Sequence, residues 1–256
     1  SHVSIDRHKK ASLLSDVCLT VREGEILGIA GGDGNGQKEL AEIIAGVRKL
    51  REGSITFEGR EIGRLSVQKR FAMGISYISD DRYADGLVLP MTVGDNLILR
   101  EYRQQPFSRF RVLNRRAAAE AANRAISDYR IKTSGRSGKD TQVRLMSGGN
   151  QQKVVLAKWL SAHPKVLILD NPTQGVDVGA KEEIYDIILR LAREGVAVVV
   201  LSSEAQEIIR VCDRALVLYH GALQGEVSGA DMNEQTIMHL ATGGAAPSAQ
   251  AIHTEE

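Results

Sequence analysis

The residues Gly31-Gly32-Asp33-Gly34-Asn35-Gly36-Gln37-Lys38-Glu39 follow an apolar run and precede a helical pattern, which is the setting of a phosphate-binding loop. Glycines there let backbone N–H groups close around phosphate oxygens, and the following helix N-terminus adds positive potential. A glycine-rich turn with no ligand is the competing reading of this segment taken alone. Two positions depart from the motif: Gln37 stands where a lysine contacts the β- and γ-phosphates, and Lys38 stands where a serine or threonine binds magnesium. Lys38 comes one residue late, about 100° further round the helix. The loop thus predicts nucleotide contacts from Gly31, Gly34, Asn35, Gly36, Gln37, Lys38 and Glu39, with a hydroxyl ligand lost to magnesium.

Val166-Leu167-Ile168-Leu169-Asp170 is an apolar strand ending in a carboxylate, the arrangement that holds magnesium at the carboxyl edge of a parallel sheet. Pro172-Thr173-Gln174-Gly175-Val176-Asp177 follows as a turn with a second carboxylate. Asn171 lies between them, and an amide can hydrogen-bond a water but cannot take its proton at neutral pH. The apolar run 196–201 leads into Ser202-Ser203-Glu204, where Ser203 has no titratable imidazole. Ser203 reads equally as an uninvolved strand-end serine or as a hydrogen bond to phosphate. Leu145-Met146-Ser147-Gly148-Gly149-Asn150-Gln151-Gln152-Lys153 ends a loop and starts a helix, offering an anion a hydroxyl, two glycines and helix N-terminal amides. Its place shortly before the Asp170 strand argues against a plain helix cap.

Elements able to position these residues alternate along the chain. Apolar runs at 25–30, 75–78, 166–169, 196–201 and 215–218 read as buried strands, and 38–44, 115–129, 149–161 and 180–193 as amphipathic helices. Alternating strands and helices predict a parallel sheet covered on both faces. The segments 16–22 and 53–59 alternate apolar and polar residues, predicting a small antiparallel β layer beside the core. The stretch from about 93 to 158 is Ala-rich and helical, a helical subdomain, with a loop at 134–140. From 243 to 256 the chain is small and polar, a disordered tail after a domain over 1–242. No internal repeat is evident.

Composition excludes several classes. A net charge of +1 offers no basic stripe, so nucleic acid is not an expected partner. Cys18 and Cys212 lie far apart and read as buried free thiols in a reducing, cytoplasmic setting. No apolar run reaches the roughly 20 residues that span a bilayer, so any membrane role comes through a partner. The chain begins Ser1-His2 without a methionine, as a fragment of a longer polypeptide carrying a cleavage scar does.

On these motifs the chain resembles ATP-binding-cassette proteins along nearly all its length except the tail. It is similar to the second, C-terminal cassette of the fused double-cassette ATPases of bacterial ribose-type sugar importers and their nucleoside-importer relatives. Gly74-Ile75-Ser76-Tyr77-Ile78-Ser79-Asp80-Asp81-Arg82 with Asp85-Gly86-Leu87-Val88-Leu89 resembles their loop that senses the γ-phosphate and touches the membrane subunit; Asp80 stands where other cassettes place glutamine. Ser147 to Lys158 and Gly175-Val176-Asp177-Val178-Gly179-Ala180-Lys181 resemble the sugar branch, and Pro106-Phe107-Ser108-Arg109 the nucleoside branch.

The resemblance implies a P-loop NTPase core, RecA-like, with an antiparallel β subdomain and a helical subdomain. It implies ATP and Mg2+ as cofactors, with Asp170 and Asp80 at the metal and Asp80, Asn171 and Ser203 at the catalytic positions. Hydrolysing relatives carry glutamate at the place of Asn171 and histidine at that of Ser203. It further implies head-to-tail pairing, in which Ser147, Gly148, Gly149 and Gln151 face an ATP held by a second cassette fused N-terminally. Membrane permease subunits, and through them a solute-binding protein, complete the partners at the cytoplasmic face of the inner membrane. Two other readings stay open: a non-hydrolysing structural or regulatory module, and a soluble cassette ATPase of translation or DNA repair. The adenine-stacking residue has only His8 as a candidate within 5–10.

Overall fold

The computed structural model describes residues 2–4, 14–110, 112–133 and 137–244. Its centre is a six-stranded sheet made of β1 (Ile26–Ala30), β2 (Ile75–Ile78), β3 (Val166–Asp170), β4 (Ala197–Ser202), β5 (Arg214–Tyr219) and β6 (Ala222–Ser228), in the spatial order β6-β5-β1-β4-β3-β2. All pairings are parallel except that of β5 with β6. β1, β3 and β4 are buried along their whole length, as strands covered on both faces must be. Their alternate residues feed two separate cores. Leu27, Ile29, Ile168, Val199 and Leu201 pack with Leu40 and Ile43 on one face. Ile26, Leu167, Leu169, Val198 and Val200 pack with Ile184, Ile188 and Ile208 on the other.

The helices are α1 (Gln37–Ala45), α2 (Val67–Ala72), α3 (Val93–Ile98), α4 (Arg115–Asp128), α5 (Gly148–Leu160), α6 (Val178–Arg193), α7 (Ala205–Val211) and α8 (Glu234–Ala241). Local chemistry sets their starts: Thr92, Asn114 and Asp177 accept the N–H of Asp95, Ala117 and Ala180, capping α3, α4 and α6. The fold is α/β, a mostly parallel sheet with a small antiparallel sheet and flanking helices. No helix among the described residues is long and apolar enough to cross a membrane.

The helix layer sits close on the sheet at Gly28, whose added Cβ would stand 2.9 Å from Ile208 Cγ2 and 3.1 Å from Cys212 Sγ. The Ile208 side chain of α7 therefore packs directly on the β1 backbone. Gly28→Ala is expected to cost about 1–3 kcal/mol by overpacking. A urea denaturation midpoint that does not move would overturn that account.

The sequence reading needs correction in four places. Of 16–22 only Val17–Cys18 is strand, paired antiparallel with His2 and Val3; it starts after Asp16, which turns at φ 49°, and 19–22 does not pair. Of 53–59 only fragments pair, at Glu52–Gly53 and Thr56–Phe57, since Gly53, Glu58 and Gly59 take left-handed backbone. A hairpin of Ser108–Arg109 with Val112–Leu113 interrupts the helical stretch. Cys18 is exposed, on the outer side of its two-residue strand, while Cys212 is buried as expected and burial raises its thiol. β6 was not anticipated, because an edge strand with Gly225 at its centre lacks an apolar run. His8, residues 134–136 of the loop and residues 245–256 of the tail lie outside the described residues.

Candidate functional site

The parallel register brings Ala30, Asp170 and Ser202 to one edge of the sheet, since Asp170 pairs with Leu201 and Ser202 with Ala30. The chain leaving β1 curls there because Gly34 at φ 81° and Gly36 at φ 103° occupy left-handed backbone, and Gly36 then opens α1. Asn35 ties the loop to the β5–β6 turn, accepting His220 N–H on Oδ1 at 3.0 Å and Gly221 N–H on its carbonyl at 3.0 Å. Gln37 is buried and folds back into the loop, its amide donating to the Gly32 carbonyl at 3.2 Å. A side chain spent on the loop's own backbone is not extended toward a ligand.

Lys38 points elsewhere, its ammonium 2.7 Å from Asp80 Oδ1. That hydrogen bond, with burial opposing it and the charges of Asp80 and Asp170 assisting, raises the Lys38 ammonium above its ordinary value. Burial works against ionising Asp80, yet Lys38 and the hydroxyl of Ser79 at 3.2 Å hold its carboxyl below the usual range. Asp170 is buried, and burial together with the Asp80 charge pushes its carboxyl up to about 6. Tyr77 donates its hydroxyl to Asp170 Oδ2 at 3.2 Å, and Asn171 donates its amide to Oδ1 at 3.1 Å.

Asn171 sits in left-handed backbone at φ 44°, held by its N–H on the Leu201 carbonyl at 2.8 Å. Its Oδ1 accepts the Ser203 N–H at 3.3 Å, so the two positions are joined through backbone and the Ser203 hydroxyl is not involved. A cleft of about 200 Å³ is lined by Gly34, Gly36, Gln37, Lys38, Glu39, Asp80, Asp170, Asn171 and Ser203. Gly31 and Asn35 shape the same loop from behind it. A larger hollow of about 650 Å³ opens at the other end of the strands, around Ile75, Val166 and Ala197, away from these groups.

Ser147, Gly148 and Gly149 are not part of that cleft. Ser147 is exposed at the start of α5 and makes no side-chain cap to the helix. Asn150 donates its amide to Ser147 Oγ at 2.9 Å. Gly148 and Gly149 allow close packing on the 175–180 turn: an added Cβ would stand 2.9 Å from the Gly175 carbonyl and 2.3 Å from Ala180 Cβ respectively. Gln151 departs from its sequence-based role at the surface. It is buried, its amide bonded to the Val143 carbonyl at 3.1 Å, because that side of α5 faces the core.

A family model described as ABC transporter matches residues 14–174. The chain belongs to this ABC transporter family of ATP-binding cassettes. The cassette is 40% identical over 240 residues to the ribose import ATP-binding protein RbsA of Geobacillus kaustophilus, covering 94% of this chain and 48% of that protein. It is 43% identical over 233 residues to the xylose import ATP-binding protein XylG of Thermoanaerobacter pseudethanolicus, covering 91% and 45%. The chain thus spans about half the length of the curated relatives it matches. A nucleotide-free ATP-binding cassette from an ABC transporter superposes with a TM-score of 0.78 at 21% identity, covering 93% of this chain and 94% of that one.

Two groups in the cassette escaped the sequence reading. Tyr77 reaches Asp170 from the neighbouring strand β2, and its position in an apolar run gave no sign of a polar task. Arg82 donates to the Gln174 carbonyl at 2.8 Å, tying the 79–86 loop to the turn after β3. The signal for Arg82 was its place in a loop already marked by Asp80, Asp81 and Asp85, but its partner lies 92 residues away.

Proposed function

We propose that this cassette powers import of a simple sugar as one member of a head-to-tail pair. In that pair it completes the partner's ATP site with Ser147, Gly148 and Gly149, while its own site is degenerate. The observation that supports this most is the one-sidedness of the departures: Gln37, Lys38, Asn171 and Ser203 all line the cassette's own cleft. The signature segment, in contrast, is complete and its serine hydroxyl exposed. The half-length match to ribose and xylose import proteins supports a fused second cassette and a sugar as cargo. Permease subunits would then hold the pair at the cytoplasmic face of the inner membrane, with a solute-binding protein acting through them.

Magnesium in this family would neutralise phosphate charge, but the donors at this cleft do not fit it. Lys38 replaces the hydroxyl ligand, and its ammonium already occupies Asp80 at 2.7 Å. Asp80 and Asp170 are accordingly read as partners of Lys38 and Tyr77, and no step here runs through a metal. Asn171 can orient a water near the cleft but cannot take its proton. Losing a general base lowers turnover about 10²- to 10⁴-fold.

Isolated, the cassette is expected to bind ATP and turn it over slowly, with Asn171→Ala changing the rate little. Steady-state phosphate release checks this. Brisk, magnesium-dependent turnover that collapses in Asn171→Ala sinks the asymmetric reading.

A further inference from the structure

A serine at a helix N-cap ordinarily accepts an N–H from the first turn of its own helix. Ser147 holds the N-cap position of α5 and accepts no such bond. Its Oγ is instead met by the side-chain amide of Asn150 at 2.9 Å. The direction of that bond is fixed from behind. Asn150 Oδ1 accepts the backbone N–H of Lys132 at 2.8 Å, and a backbone N–H can only donate, so the NH2 of Asn150 must face Ser147.

The support behind Asn150 is itself braced. Lys153, 1% exposed, donates to the Arg130 carbonyl at 2.7 Å and pairs with Glu183 at 2.6 Å. The stretch that presents the Lys132 N–H is therefore held to both α5 and α6. With one lone pair occupied by Asn150, the Ser147 hydroxyl is polarised in a single sense: it accepts from within the chain and has its hydrogen left to donate outward.

We propose that Asn150 is a positioning residue that sets the polarity of Ser147, holding its hydroxyl as a donor toward the phosphate of a nucleotide bound by the partner cassette. This rests on the reading of Ser147 given under the proposed function. Asn150→Asp separates this role from a structural one. The carboxylate keeps the bond from Lys132 N–H, so the local fold is retained, but it accepts the Ser147 proton and reverses the hydroxyl. Asn150→Ala removes both bonds and leaves the hydroxyl free to rotate.

The test is ATP turnover by the assembled two-cassette protein, with kcat and KM separated and thermal midpoints recorded alongside. Asn150→Asp is expected to lose about tenfold or more in kcat with little change in KM, and to be slower than Asn150→Ala while unfolding at a higher temperature. In a Ser147→Ala background Asn150→Asp should add no further loss. The proposal is overturned if Asn150→Asp turns over like wild type, if Asn150→Ala is the slower of the two, or if Asn150→Asp is as damaging without the serine. If Ser147→Ala itself leaves turnover unchanged, the reading of Ser147 fails, and this inference with it.

Discussion

Replacing Ser147 with arginine is expected to stop hydrolysis at the partner's ATP site while leaving this cassette folded. Ser147 is exposed and contributes no cap bond to α5, so its side chain carries little of the fold's stability. Apart from the bond it accepts from Asn150, its contribution in the proposed pair lies outside the chain. A hydroxyl aimed at developing phosphate charge is a transition-state donor, and removing one such donor costs about 10²- to 10³-fold in kcat. Arginine adds bulk at a helix start where Gly148 is already in close contact with the 175 turn, so the new side chain has only the outward space to fill. The loss should therefore reach or exceed that range, read as ATP turnover of the assembled pair. Nucleotide binding by the isolated cassette and its thermal midpoint should stay as in wild type. Retained turnover in the pair would show that Ser147 does not face a nucleotide.

The largest effect on stability is expected at Arg70. Its side chain is 1% exposed and donates to four carbonyls: Leu65 at 3.1 Å, Ile43 and Ile44 each at 2.6 Å, and Gly63 at 2.8 Å. Ile43 and Ile44 lie in the last turn of α1, where carbonyls run short of helical donors; the Gly46 N–H also reaches the Ile43 carbonyl at 3.2 Å, so the guanidinium shares that one with the helix cap. Gly46 makes room for the guanidinium, since an added Cβ would stand 2.9 Å from Arg70 Nε. Arg70→Met keeps the bulk but removes all four bonds, at about 1–3 kcal/mol for each carbonyl left without a partner that water cannot reach. A total of about 4 kcal/mol approaches the whole stability of many domains and corresponds to a fall of about 10 °C in thermal midpoint. The damage would begin at the far end of the helix that carries the glycine loop. A midpoint within about 2 °C of wild type would contradict this.

The sheet was legible because β1, β3 and β4 are apolar runs, and β3 and β4 end in the polar residues Asp170 and Ser202 that mark the cleft, so strand and motif pointed to the same edge. The short strands were not, since two-residue pairings such as Thr56–Phe57 with Arg60–Glu61 depend on left-handed turns at Glu58 and Gly59. The order Gly36-Gln37-Lys38 was readable as a departure from a phosphate loop. What Lys38 does instead was not, because Asp80 is 42 residues away and meets it only after the sheet has formed. Gln151 shows the opposite failure: a residue within a recognisable motif has its amide turned to the core, and motif membership says nothing about which way a helix face points.

The contact between Gly149 and Ala180 has a mechanical consequence. With the Ala180 methyl set directly against Gly149 where α5 and α6 begin, and with Lys153 bonded to Glu183 one turn further along, the first turns of the two helices are closely coupled. Helices joined this way would move together, as a stiff strut does. In the proposed pair, a push of the partner's nucleotide on Ser147 would be delivered to Asp177 and the turn after β3 in the same movement, tying the outer face of the cassette to the rim of its own cleft.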